Sequence, residues 1–88
     1  MEKATKLANE LREQYKAGNI TFTNFSLKKK LVGIALRRPE IGDSVSLYIS
    51  QKYSDIMYPC RRLDYHSIIF RFKTVDDYRK FIDGVQKP

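Results

Sequence analysis

The side chains of this chain with the most chemical capacity are its cations and its phenols. Seventeen Lys and Arg face ten Asp and Glu, a formal charge of +7 with the one His neutral. The excess is concentrated. Lys28, Lys29, Lys30, Arg37 and Arg38 stand between residues 20 and 39 with no acid among them. Arg61, Arg62, Arg71 and Lys73 stand between 56 and 73 against Asp64 alone. Both terminal segments are nearly neutral, and 40–55 is slightly acidic. Even scatter would mean solubility; clustering points to a polyanionic partner. Tyr48 and Tyr65 add rings that can stack on bases while cations hold phosphates, the combination that single-stranded nucleic acid requires.

Catalytic chemistry is poorly provided for. There is no Gly-rich phosphate cradle, no Gly-x-Ser-x-Gly elbow and no His-Glu-x-x-His pair. One His and one Cys cannot build a four-ligand zinc site, so no metal and no cofactor is expected. The enzyme class least excluded is a small metal-free ribonuclease, with Tyr65, His66, Arg61 and Arg71 as acid–base and charge-stabilising groups. Cys60 beside Arg61 and Arg62 could be an activated thiolate, but nothing else in the sequence supports that, and a passive thiol is the plainer reading. With a single cysteine, no internal disulfide can form, which fits a reducing, cytoplasmic setting. The start lacks the apolar core of a secretory signal, and no apolar run approaches the ~18 residues of a membrane span.

Eighty-eight residues suffice for one domain, 1–88. Residues 2–17 read as an amphipathic helix, with Ala4, Leu7, Ala8, Leu11 and Tyr15 on one stripe, ended by Gly18. Residues 20–25 read as a strand from their β-branched and aromatic content. The segment 27–38 satisfies both periods. A strand over 30–37 is preferred to a helix capped by Ser26 and stopped by Pro39. Residues 40–44 look like a turn. Residues 44–50 alternate Val45, Leu47 and Ile49 with Ser44, Ser46, Tyr48 and Ser50, the cleanest strand pattern in the chain. A connection of about 14 residues follows, long enough to be functional or to hide a short element. Residues 65–73 form another strand, with Ile68, Phe70 and Phe72 on one side. Thr74 and Asp77 then open a helix that runs to about Val85.

The architecture these elements imply is α+β in two layers. An antiparallel sheet of three or four strands carries the N-terminal and C-terminal helices on one face. Its other face would show Arg37, Tyr48, Tyr65, Arg71 and Lys73 among hydroxyls, rimmed by Lys28, Lys29, Lys30, Arg38, Arg61 and Arg62. That surface suits DNA or RNA, contacted without chemistry. On strand parity His66 points toward the core. The competing reading is a protein-interaction module or inhibitor, such as a virus- or mobile-element-encoded regulator, that binds an acidic partner. Its hydrophobic anchor would be Tyr53, Ile56, Met57 and Tyr58. A homodimer through an exposed strand edge is a further expectation. Each basic or aromatic motif also has a plain structural role, as solvated surface or edge-strand guard.

Overall fold

The computed structural model describes residues 1–86. Helix α1, Lys3–Lys16, forms where the apolar stripe predicts it and buries Ala4, Leu7, Ala8 and Leu11. Gly18, at φ +80°, turns the chain out of it in the left-handed region that side chains avoid. Strand β1, Ile20–Ser26, and strand β2, Leu31–Leu36, make an antiparallel hairpin. A single 3₁₀ turn at Pro39–Ile41 leads directly into helix α2, Gly42–Lys52. Then come the two-residue strand β3, Arg61–Arg62, strand β4, Ser67–Arg71, and helix α3, Val75–Gln86. The sheet order is β1-β2-β4-β3, antiparallel throughout.

One error in the sequence reading changes the surface. Residues 44–50 are not a strand but the body of α2. Three alternating apolar positions also fit a helix, because Ile41, Val45, Ile49 and Tyr53 repeat every four residues and bring one stripe inward. Leu47, which a strand would have buried beside Val45 and Ile49, is 59% exposed on the opposite side. The turn-like residues before it are a helix start: Pro39 opens the 3₁₀ turn, and Asp43 sits in the first turn of α2.

The core lies between the sheet and all three helices. Ile20, Val32, Ile34, Leu36, Ile68, Phe70 and Phe72 come from the sheet, and they meet the stripes of α1, α2 and α3 in one continuous cluster. Phe81 of α3 lies edge-on to Phe70 at 5.8 Å and packs on Phe72 at 5.2 Å, favourable geometries for aromatic pairs. At the start of α3 the expected cap is present, with the Asp77 amide donating to Thr74 Oγ1 at 3.2 Å. Tyr53 and Met57, expected as an exposed anchor, are instead buried at 0% and 1%. They close the end of the core below α2, and Ile56 packs partly against it. Of that group Tyr58 alone is largely exposed.

Two contacts fix the helices to each other. Helices α1 and α3 approach so closely that a Cβ on Gly84 would lie 2.5 Å from the Ala8 Cβ. Helices α1 and α2 are tied at Glu10. Its carboxylate accepts hydrogen bonds from Lys52 (2.7 Å), Tyr53 (2.9 Å) and Tyr48 (3.1 Å). Burial alone would raise the Glu10 pKa, but these donors outweigh it and hold the carboxyl below its usual value.

Two outcomes follow from these ties. Gly84→Ala, which in an open helix would gain about 1 kcal/mol, is expected to lose about 1–3 kcal/mol here by overpacking. Ala8→Gly added to it recovers part of the loss in denaturant titrations. Because the folded Glu10 carboxyl has a depressed pKa, its contribution is complete above the unfolded value and fades as acid protonates the folded group. Thermal melts should therefore separate wild type from Glu10→Gln at pH 7 and bring the two together in acid.

Candidate nucleic-acid interface

Because every helix packs on one side, the other face of the sheet stays open, and strand register determines what it shows. Cross-strand partners share a face. Three rungs cross it: Thr21, Ala35 and Ser67; then Asn24, Gly33, Ile69 and Arg61; then Ser26, Leu31 and Arg71. The third rung extends to Tyr58. Met57 bridges Phe72, and the Tyr58 amide donates to the Arg71 carbonyl at 2.9 Å, so Tyr58 lies opposite Arg71. None of the four strands contains an acid.

Four of the seven cations in the helices are paired with a carboxylate, and among the described residues Lys6, Arg12 and Arg79 are not. Lys3, Lys16, Lys52 and Lys80 each find a carboxylate within 4 Å, from Asp55, Glu13, Glu10, and Glu2 with Asp76. Among the described residues, Lys28, Lys29, Lys30, Arg37, Arg61, Arg71 and Lys73 form no ion pair. Two basic segments far apart in sequence thus meet on one sheet, and of their nine cations only Arg38 and Arg62 are ion-paired among the described residues. Six of these seven gather near the β1–β2 hairpin and the adjoining end of β4. Arg37 stands at the far end of β2, about 20 Å away by strand rise.

A groove of about 700 Å³ opens at the basic end. Leu31 and Ile69 form its floor, Tyr58 and Pro59 one wall, and Lys29, Arg61 and Arg71 supply its charge. Arg71 is held in place: its Nε donates to the Lys29 carbonyl at 3.3 Å, and its guanidinium lies 5.5 Å from the Tyr58 ring centroid. The Lys73 ammonium is 5.8 Å from the same ring. Such cation–π contacts orient the ring without neutralising the charge.

Other expected site residues are placed elsewhere. Tyr48, on α2, belongs to the helical layer, where its hydroxyl donates to Glu10; it does not reach the open face. Tyr65 is exposed in the loop between β3 and β4, with the Arg62 guanidinium 5.7 Å from its ring centroid. Arg62 is a structural clamp: its donors reach Asp43 (2.7 Å), the Pro39 carbonyl (2.8 Å) and the Tyr65 carbonyl (2.7 Å). Arg38 is paired with Glu40 at 3.1 Å. His66 is exposed rather than turned to the core, because β4 begins at Ser67 and leaves it in the loop. His66 and Arg71 consequently stand at opposite ends of β4, about 16 Å apart by strand rise, so the four residues considered for ribonuclease chemistry do not converge. Burial raises the Cys60 thiol to about 11, outweighing its hydrogen bond with Ser50, so it is not an activated thiolate.

Tyr58, read from the sequence only as part of a protein anchor, lies beside Arg71 on the basic face. Its position in a basic segment was legible; its pairing partner was not. Searches for a matching protein family, curated protein or solved structure find none, so the functional reading stands on this geometry alone.

One backbone feature marks the basic hairpin. Lys30 adopts φ +53° in the turn that the Lys30 amide closes onto the Leu27 carbonyl. A lysine in the left-handed region costs about 1 kcal/mol relative to glycine, and such strain concentrates at functional sites. Lys30→Gly is expected to raise stability by about 0.5 kcal/mol at most in urea titrations, the larger unfolded-state freedom of glycine offsetting much of the relief.

Proposed function

We propose that this protein binds nucleic acid through the open sheet face and the basic hairpin, without performing chemistry on it. The observation that carries this reading is the segregation of charge. Lys28, Lys29, Lys30, Arg61, Arg71 and Lys73 converge at the hairpin and on a sheet whose strands carry no acid, and among the described residues none of the six forms an ion pair, whereas four of the seven helical cations do. Gathering like charges raises the energy of the free protein and creates a field that attracts a polyanion. Phosphates would release counterions as Lys28, Lys29, Lys30, Arg61, Arg71 and Lys73 approach them. The hydroxyls of Thr21, Ser26 and Ser67 offer donors that position a backbone without reading its sequence. Arg37, at the far end of the same sheet, would extend the footprint along a strand. Arg38, Arg62 and Tyr48 drop out of the contact set because their polar groups already have partners.

The test is a fluorescence-anisotropy titration of labelled oligonucleotide at several salt concentrations. The logarithm of affinity should fall with log salt by roughly 0.7 for each single-strand phosphate neutralised. Lys29→Gln and Arg61→Gln should each weaken binding and reduce the slope by roughly that amount. Lys80→Gln, which removes a cation already paired with Glu2 and Asp76, should leave both unchanged. A flat salt response, or equal effects of all three substitutions, would overturn the reading.

A further inference from the structure

Resting on the nucleic-acid reading above, we infer that the groove between Tyr58, Leu31, Ile69 and Arg71 receives one unpaired base with its phosphate, so that the partner is single-stranded. The groove has two chemistries side by side. Its floor is aliphatic, and its wall is a phenol ring beside a proline, while Lys29, Arg61 and Arg71 stand around it. A surface selected only for phosphates has no use for the apolar part.

A duplex cannot satisfy both halves. Its bases are stacked and paired, so what it offers a surface is a regular array of phosphates and sugars, with base edges recessed in the grooves. Set against Leu31 and Ile69, those phosphates would lose water without gaining a donor. Reading base edges in a major groove takes a projecting helix or ribbon, whereas this site is a depression. An unstacked base is flat and apolar on both faces and can cover the floor. It is linked directly to the charge that the three cations accept. Arg71 is prepared for it, because the Lys29 carbonyl and the Tyr58 ring hold the guanidinium before any ligand arrives. Planar guanidinium and phenol are the side chains on which bases stack irrespective of sequence. The volume, about 700 Å³, lies within the range of small-ligand sites and fits a single nucleotide unit rather than a helix.

Three labelled probes test this, built from strands about twelve nucleotides long. They are an oligothymidylate strand, an abasic deoxyribose-phosphate strand, and an oligothymidylate–oligoadenylate duplex at matched phosphate concentration. The base-bearing strand should bind about tenfold more tightly than the other two. Tyr58→Ala should abolish the difference between the base-bearing and abasic strands, weakening the former by far the more, and Tyr58→Phe should preserve the difference. Tyr58 is about half exposed, so the variant should melt with the wild type. Equal, salt-dependent binding of all three probes, indifferent to Tyr58→Ala, would overturn the inference and leave the nucleic-acid reading standing. Binding of none would overturn both.

Discussion

The contact on which the surface depends is internal. Phe70 and Phe72 point from β4 into the helical layer and meet Phe81 of α3 at 5.8 and 5.2 Å. Each large ring removes on the order of 150–250 Å² from water, so their direction is among the strongest terms in a domain this small. Strand alternation then leaves no freedom for their neighbours. If Phe70 and Phe72 are inside, Ile69, Arg71 and Lys73 are outside, and register carries that division across to β2 and β1. The cationic face is a consequence of the aromatic one.

Electrostatics reinforces this division. Glu10 unites α1 and α2 through three donors, and Lys80 of α3 bridges back to Glu2 at the start of α1. Exposed pairs of this kind contribute little individually. Their significance is one of distribution: the acids of the chain lie largely among the helices and are used there. Cations on the sheet side are left with the field they generate, apart from Arg38, paired with Glu40, and Arg62, whose charge is absorbed in joining β3 to the start of α2.

Much of the fold was legible because local pattern and global burial agree. The stripe of α1, the inward rows of β2 and β4, and the Thr74–Asp77 start of α3 each have one interpretation that buries apolar area while satisfying the backbone. Residues 44–50 did not. Val45, Leu47 and Ile49 satisfy a period of two, and Ile41, Val45, Ile49 and Tyr53 satisfy a period near four; only packing against α1 decides between them. That one choice moved Tyr48 to the helical side and left Tyr58 as the aromatic of the basic groove.

The sequence by itself determined the class of fold, the inward rows of β2 and β4, and the placing of excess positive charge in two acid-poor segments. These are properties of side-chain type and short-range spacing, which any chain conformation must respect. Tertiary structure alone decided that the two segments adjoin, that Arg62 and Arg38 are neutralised while Arg61 and Arg71 are not, and that Tyr58 lies opposite Arg71. Those outcomes depend on which strands pair and in what register, and pairing is set by the sum of many long-range contacts rather than by any residue and its neighbours.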